Sequence, residues 1–175
     1  ADRTRLEMYF FGLASSWSDI THQVRDKLVV SATTQVTRTG NVSTQILGDV
    51  RRASPRLYRE LVSKCTELQA KRCERGGCKN YDLMVAMYFR DMVAVLNSIL
   101  TVLKPGAQLM MILGDSAPYG VHIPTDRFLA RLGHALGFAS YRVYPLRERG
   151  RKWTNNRRRH QVGLRESLVV LTKPS

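Results

Sequence analysis

A polar loop from Gly114 to Gly120 follows directly after the apolar run "AQLMMIL". Ligands of open α/β sheets bind beyond the carboxyl ends of the strands, so Asp115 and Ser116 lie at a ligand-binding position if this run is a strand. The Asp115 carboxylate could accept a hydrogen bond from a bound amine or orient the loop, or it could only cap a turn. The sequence assigns no catalytic residue, but it predicts a pocket rim made of Asp115, Ser116, Pro118 and Tyr119.

A second candidate site is the basic segment from Arg147 to His160, "RERGRKWTNNRRRH", in which seven cations stand beside a single acid. A charge run is usually a solvated surface, but the near absence of acids and the embedded Trp153 favour nucleic acid. Basic side chains would contact phosphates, the indole would stack on a base, and an asparagine would contact a base edge. The predicted nucleic-acid-binding residues are Arg149, Arg151, Lys152, Trp153, Asn155, Asn156, Arg157, Arg158 and Arg159.

The overall charge also favours a polyanionic partner. The chain carries 28 Lys and Arg against 14 Asp and Glu, which gives a net charge of +14 and a sequence pI of about 10.3. Each phosphate contact by a basic side chain releases counterions and adds sequence-independent affinity. Nucleic acid is therefore the simplest partner, and an anionic membrane surface is the alternative.

Length and composition predict one soluble domain over residues 1–175, because a hydrophobic content of 43% is enough for a sizeable core. No uninterrupted apolar run approaches the roughly 20 residues of a membrane span. The opening "ADRTRLEMYFF" lacks the basic-then-apolar order of a signal peptide. We therefore expect a cytoplasmic protein with no membrane partner, and the sequence indicates no particular oligomeric state.

The cysteines do not form a metal-binding pattern. Cys65, Cys73 and Cys78 are an odd set, and "CERGGC" supplies one loose pair with no nearby histidine. A structural zinc site needs four ligands in paired short spacings. We expect free thiols in a reducing compartment and no metal site.

The histidines suggest no general base. None of them has a partner acid or a nucleophile at an informative spacing, and His134 is interpreted as structural. The four positions are His22, His122, His134 and His160.

The first eighty residues contain two helical patterns separated by an irregular stretch. The first pattern breaks at residues 12–16, where Ser16 or Ser18 could cap a second short helix. Residues 31–50 are rich in Thr, Ser, Gln and Gly without a lasting period, which predicts an irregular surface connection. Ser54 then suits the N-cap of a helix, with Pro55 at its first position. The apolar face of that helix would be Leu57, Leu61, Cys65 and Leu68.

A long helix is predicted to begin near Tyr81 and to end at "KPG", since proline disfavours helical geometry in the preceding residue. It has a broad methionine-rich stripe, which we interpret as core packing rather than a cofactor site. The stripe consists of Met84, Met87, Tyr88, Met92, Val95, Leu96 and Ile99.

The remaining residues alternate between strand and helix patterns. "AQLMMILGD" is short and continuously apolar, which predicts a strand buried on both faces. An amphipathic helix follows, capped by Thr125 and ended near Gly137. "SYRVYPL" contains Pro145 and suits an edge strand, whereas "ESLVVLT" suits an interior one. This order predicts the closing half of an open α/β sheet, with the final strand inserted between the other two.

In this region the chain resembles the nucleic acid amino-methyltransferases that use S-adenosylmethionine. The resemblance rests on "VLKPGAQLMMILGDS", "IPTDRFLARLGHALGF", "YRVYPLRERGRKW" and "ESLVVLTK", from about Val102 to Lys173. The opening "ADRTRLEMYFFG" is similar to the segment that follows a Ser-Pro-Pro-Tyr motif in cytosine-directed bacterial members. The resemblance implies an α/β, Rossmann-like sheet, of which this chain supplies strands five to seven, the flanking helices and a helical N-terminal segment. Residues 31–80 have no counterpart and suit an insertion or a target-recognition segment.

The resemblance also implies an activity. It is that of a site-specific DNA methyltransferase, which transfers a methyl group from S-adenosylmethionine to the exocyclic amine of cytosine or adenine. In the family the catalytic tetrapeptide follows strand four, whereas "SAPY" at residues 116–119 follows strand five. The resemblance thus favours a pocket-rim loop over a catalytic tetrapeptide for "SAPY", and it places the family's catalytic tetrapeptide and cofactor motif upstream of Ala1. The alternatives are an RNA amine methyltransferase and a non-catalytic basic nucleic-acid-binding module.

Overall fold

The computed structural model describes residues 5–36, 42–74, 77–149 and 162–175. Short helices occupy the first part of the chain, two long helices follow, and three strands with one further helix complete the fold. The sequence of elements after residue 80 is the predicted one: helix, strand, helix, strand, strand. The described fold is therefore a mixed α/β structure.

The N-terminal segment consists of short helical turns. Helix α1 spans Arg5–Phe10 and α2 spans Trp17–Asp19. The Ser16 hydroxyl accepts a hydrogen bond of 3.1 Å from the amide three residues later, which confirms a serine cap at this position. The chain continues as a π-helical turn at Ile20–Val24 and a 3₁₀ turn at Arg25–Lys27.

The prediction of an irregular surface connection over residues 31–50 is wrong in its second half. Helix α3 spans Ser43–Ile46 and α4 spans Gly48–Ala53. Leu47 and Val50 are fully buried in the main core. Isolated apolar residues among polar neighbours give no lasting period, so the packing of these short helices on the two long helices that follow is not visible in the pattern.

Helix α5 spans Pro55–Glu74 and begins where the sequence predicted. The Ser54 hydroxyl accepts a hydrogen bond of 3.3 Å from the Leu57 amide, and Pro55 occupies the first helical position, where no backbone donor is needed. The predicted apolar face is confirmed, because all of its members are buried: Leu57, Leu61, Cys65 and Leu68.

The three cysteines are free thiols in the structure. Cys65 is buried and donates a hydrogen bond of 3.4 Å to the carbonyl oxygen of Asp82. Burial, with the Asp82 carboxylate nearby, raises the pKa of the Cys65 thiol to about 12. Cys73 and Cys78 are exposed. Cys65 therefore acts as a small apolar core residue, because its thiolate form is strongly disfavoured.

Helix α6 spans Tyr81–Val102 and ends before "KPG", as predicted. Its most buried side is centred on Phe89, whose ring contacts Phe128 with centroids 5.8 Å apart. The predicted methionine-rich stripe overlaps this buried side only in part, because Met84 and Met87 are half-buried. The difference arises because several helices pack on α6: α5, the short helices α3 and α4, and the helix that contains Phe128. The fully buried apolar residues of α6 are Leu83, Val85, Ala86, Phe89, Met92, Val93 and Leu96.

By length and composition alone, α6 could also cross a membrane, since its mean hydropathy reaches 1.5. The core helix of a soluble protein meets the same criteria, and α6 contributes one side to the core. The absence of a membrane partner remains a prediction.

Helix α7 spans Thr125–Ala135. Thr125 is not its cap, which corrects the sequence prediction. The residue before the helix is Pro124, and the Thr125 hydroxyl lies 3.4 Å from the Ile123 carbonyl oxygen to which it donates. The predicted end is confirmed, because Gly137 has a φ of +115°, a conformation that suits glycine at the end of a helix.

Three strands form one sheet: β1 at Gln108–Gly114, β2 at Ser140–Arg149 and β3 at Leu164–Thr172. Their order is β1-β3-β2, and β3 is antiparallel to both neighbours. The predicted insertion of the last strand between the other two is therefore confirmed, and β2 is the edge strand that Pro145 indicated. Among the described residues the sheet has three strands, so the full Rossmann strand order is not seen.

The two faces of this sheet differ. The closed face, which contains Leu109, Met111 and Leu113 of β1 with Val169 and Leu171 of β3, packs on the main core. The open face contains Met110 and Ile112, which are 61% and 66% exposed. The prediction that β1 is buried on both faces is therefore wrong for the described structure, because its helices cover one face of the sheet only. The β1 edge away from β3 also has no strand partner among the described residues.

Candidate functional site

The loop after β1 is a closed turn. Ser116 and Ile123 form an isolated antiparallel bridge, in which the Ile123 amide donates to the Ser116 carbonyl at 2.8 Å. Between them Ala117 is buried and residues Pro118–Gly120 form a single 3₁₀ turn. The bridge returns the chain to the end of β1 before α7 begins. As a result, side chains from both ends of the loop meet beside the last residue of the strand.

Tyr119 is anchored on the helical side of this loop. Its φ is +51°, in the left-handed region that few non-glycine residues adopt. Its ring meets the ring of Tyr81 edge to face, with centroids 5.1 Å apart, and a side chain at Gly77 would collide with the Tyr119 hydroxyl. These contacts hold Tyr119 in an uncommon backbone conformation and tie the predicted rim to the start of α6.

Asp115 is the buried acid of the site. Its side chain is 2% exposed, and its Oδ2 lies 2.8 Å from Nε2 of His122, whose side chain is 38% exposed. Its Oδ1 is buried and has no hydrogen-bond partner among the described residues. The prediction that no histidine has a partner acid is therefore wrong for His122. The loop closure brings the two residues together, and the turn-forming "PYG" between them is the one sequence signal that points to this contact.

A second buried carboxylate neighbours this pair and shares Arg165 with it. Asp126, in the first turn of α7, is fully buried and accepts hydrogen bonds from the Ser167 hydroxyl at 2.7 Å and from Nε of Arg165 at 3.0 Å. Nε of Arg165 also lies 3.9 Å from Oδ2 of Asp115. One guanidinium of β3 thus stands between both acids. Neither Asp126 nor Arg165 was singled out from the sequence, because their partners are about forty residues away along the chain.

The pKa values of Asp115 and Asp126 are shifted in opposite directions. Burial raises the pKa of Asp115; the hydrogen bond from His122 opposes this shift, and the neighbouring Asp126 adds to it. Burial also disfavours the charged form of Asp126, but hydrogen bonds from Ser167 and a backbone amide, with the charge of Arg165, outweigh it and lower the pKa of Asp126. Asp126 is therefore the structural anion of the cluster, and Asp115 is the acid whose charge is less well compensated.

Arg149 is the first residue of the basic segment to reach this site. Arg149 is the last residue of β2. Because β2 runs parallel to β1, the carboxyl ends of both strands lie at the same end of the sheet. Its guanidinium lies over Gly114, where any side chain would collide with it, and its Nη1 donates a long hydrogen bond of 3.5 Å to the Asp115 carbonyl. The described part of the basic segment therefore ends beside Asp115.

The remaining predicted nucleic-acid-binding residues lie outside the described ranges. The segment also begins as strand rather than loop, since β2 includes Arg147, Glu148 and Arg149. The residues outside the described ranges are Arg151, Lys152, Trp153, Asn155, Asn156, Arg157, Arg158 and Arg159.

These features define a mixed α/β protein with a polar cluster where two parallel strands end. The chain is similar to a Type II methyltransferase, M.BsoBI of Geobacillus stearothermophilus, with 25% identity over 118 residues. The match covers 66% of this chain but 23% of the length of that protein. No family model and no solved structure matches the chain. The comparison supports a distant relationship to methyltransferases in general.

The described residues do not form a cradle for S-adenosylmethionine. A cofactor site of the Rossmann type needs a glycine-rich turn that leads from a strand directly into a helix, so that backbone amides face the ligand. The turn after β1 is instead closed by the bridge between Ser116 and Ile123, and Ala117 is buried beneath it. This loop is therefore suited to hold polar side chains at the strand end.

Proposed function

We propose that this chain is the C-terminal half of the catalytic domain of an S-adenosylmethionine-dependent DNA methyltransferase that acts on the exocyclic amine of cytosine or adenine. The observation that carries the proposal is the similarity to a Type II methyltransferase over two thirds of the chain. The sheet order β1-β3-β2 supports it, because a closing hairpin with its last strand inserted is the arrangement that the family resemblance implies.

The unfinished sheet supports the idea of a half domain. The free edge of β1 can accept a further strand, and the exposed Met110 and Ile112 offer an apolar surface to elements that lie on the open face. Sheets of this class are normally covered on both faces. The complementary half would add those elements together with the cofactor motif and the catalytic tetrapeptide.

The polar cluster and the basic segment would then face the nucleic acid. The exocyclic amine of a paired base is inaccessible inside a duplex, so the target nucleotide must be extruded into a pocket. Arg149, the last described residue of the basic segment, lies beside Asp115 at the end of β1, which gives a phosphate one cation next to the strand ends. This arrangement suits an enzyme that holds the backbone while a single base enters the protein.

The direct experiment uses the full reading frame that contains these 175 residues. The expressed protein is incubated with methyl-labelled S-adenosylmethionine and unmethylated DNA, with RNA of the same sequence as competitor. We expect label in DNA, on an exocyclic amine, and loss of transfer when an upstream Pro-Pro-Tyr motif is altered. Label in RNA instead would support the RNA enzyme.

A non-catalytic nucleic-acid-binding module is the second candidate. It is favoured by the net charge of +14 and by the lack of a cofactor cradle among the described residues. Such a module would bind DNA with the same affinity whether or not S-adenosylmethionine is present. DNA binding of that kind, without any methyl transfer by the complete reading frame, would overturn the methyltransferase proposal.

The basic segment has its own test in the salt dependence of DNA binding. Replacing Arg157, Arg158 and Arg159 by alanine should flatten the slope of log K against log salt by up to ~0.9 for each lost phosphate contact. The control removes three exposed arginines of α4 and α5, Arg52, Arg56 and Arg59, and should change the slope much less. Equal slopes for the two variants would remove the basic segment from the interface.

A further inference from the structure

The imidazole of His122 is fixed on one side and open on the other. Its Nε2 bonds to Oδ2 of the buried Asp115 at 2.8 Å, and this is its hydrogen bond within the described ranges. The side chain remains 38% exposed, whereas the Asp115 side chain is 2% exposed. A buried carboxylate that holds one ring nitrogen orients the whole ring. The second nitrogen, Nδ1, is thereby left to meet a ligand.

The contact with Asp115 favours the tautomer of His122 that carries its proton on Nε2. Burial and Asp126 raise the pKa of Asp115, whereas the hydrogen bond from His122 opposes that shift. The guanidinium of Arg165, with Nε 3.9 Å from the same carboxylate oxygen that meets His122, also favours the ionised acid. An ionised carboxylate only accepts hydrogen bonds, so the proton of a neutral His122 lies on Nε2. Nδ1 is then an acceptor and can bind an N–H group of a ligand.

Arg149 supplies a cation next to the backbone carbonyl of Asp115. Its Nη1 donates to the Asp115 carbonyl at 3.5 Å, while His122 meets the carboxylate of that residue. An imidazole and a guanidinium therefore both bond to Asp115, at the end of the sheet where β1 and β2 stop.

We propose that His122, oriented by Asp115, and Arg149 form a nucleotide-binding subsite, in which Nδ1 of His122 accepts from the exocyclic amine of a base and Arg149 contacts its phosphate. This assignment rests on the proposed function, since it gives the target amine a partner in this chain. Cytosine and adenine carry such an amine, whereas thymine presents a carbonyl oxygen at the equivalent position. The subsite therefore favours amine-bearing bases.

The test measures nucleotide binding by the 175-residue chain itself. Imidazole nitrogen shifts of His122 are followed by NMR while dCMP, dAMP or dTMP is added. We expect the free protein to show the proton on Nε2, and dCMP and dAMP to move the Nδ1 resonance. We expect roughly 3- to 10-fold weaker binding of dTMP, the range that one hydrogen bond gives. Equal binding of the three nucleotides, or a fixed Nδ1 resonance, would overturn the subsite.

Two variants separate the roles of the two side chains. His122→Phe, which keeps a ring but removes both nitrogens, should reduce the preference for dCMP over dTMP. Arg149→Ala should weaken all three nucleotides alike, because it contacts the phosphate. His22→Phe, at an exposed histidine of the N-terminal segment, is the matched control and should change neither property. Amide spectra check that each variant is folded. A preference that survives in His122→Phe would show that another group selects the base.

The outcomes separate this subsite from the proposed function. Selective nucleotide binding by this chain, without methyl transfer by the complete reading frame, would keep the subsite and remove the enzyme. Methyl transfer that persists unchanged in a His122→Phe full-length protein, with no nucleotide selectivity in the chain, would keep the enzyme and remove the subsite.

Discussion

The two faces of the sheet have similar sequences but different environments. Leu171 on the closed face is fully buried, and α7 approaches so closely that a side chain at Gly133 would collide with it. Ile112 on the open face lies on a neighbouring strand and is 66% exposed. Both residues belong to continuous apolar runs. The difference shows that apolarity predicts a strand here, while the helices decide which face becomes core.

The largest expected effect tests this difference directly. Leu171→Ala should reduce the free energy of unfolding by about 3 kcal/mol, because it removes buried methyl groups and leaves a cavity under α7. Ile112→Ala should cost less than about 1 kcal/mol, since most of that side chain is already in water. Urea unfolding of both variants gives the two values, provided that the m-values agree.

Equal losses of stability in Leu171→Ala and Ile112→Ala would contradict this prediction. If Ile112→Ala were as costly as Leu171→Ala, the open face would be covered in solution. Sedimentation or light scattering of the same samples would then show whether a second copy of the chain covers it.

A smaller effect is expected from the polar ends of the two faces. On the closed face Asp126 is fully buried between Ser167 and Arg165. Asp126→Asn should cost about 2 to 3 kcal/mol, because it weakens charge-assisted hydrogen bonds inside the protein.

The matched control is the acid at the polar end of the open face. Glu166, next to Ser167 in β3, pairs with Arg147 at 2.6 Å, and the Arg147 side chain is 70% exposed. Glu166→Gln should cost less than about 1 kcal/mol, because solvent screens such pairs. Similar losses for the two acids, measured by urea unfolding, would contradict the view that burial on the closed face sets the strength of these contacts.

The sequence predicted the elements of the sheet better than their environment. Strand identity, the edge position of β2 and the insertion of β3 follow from local signals such as Pro145 and continuous apolar runs. The exposure of Met110 does not follow from local signals, because it depends on which face of the sheet the helices pack against. The same limit explains α4, where Leu47 and Val50 are buried by helices that the local pattern does not include.

The candidate site was predicted in part for a similar reason. Asp115 follows a strand, and that position alone marked it as a candidate. His122 and Arg165 reach it through a loop closure and a strand pairing, which are long-range contacts. A sequence pattern carries spacing along the chain, so it identifies the strand end but not the side chains that gather around it.

The smallest expected effect is the pH dependence of stability from Asp115. Because its pKa is raised above the ordinary value of 3.8, the folded protein binds its proton more tightly than the unfolded chain does. Its contribution to stability is therefore present below pH 3.8 and is lost as the pH rises through the folded pKa. Asp126 has a lowered pKa and acts in the opposite sense, so its contribution is present above pH 3.8 and is lost as the pH falls.

The two contributions are separated by comparing variants across that pH range. Unfolding free energies of the native protein and of Asp115→Asn should diverge with pH, because asparagine does not titrate. The variant should lack the loss of stability that begins above pH 3.8, while it keeps the acid-side loss that Asp126 causes. If Asp115→Asn instead removed the acid-side loss and kept the loss above pH 3.8, Asp115 would be the well-compensated anion, and the assignment of the two acids would be reversed.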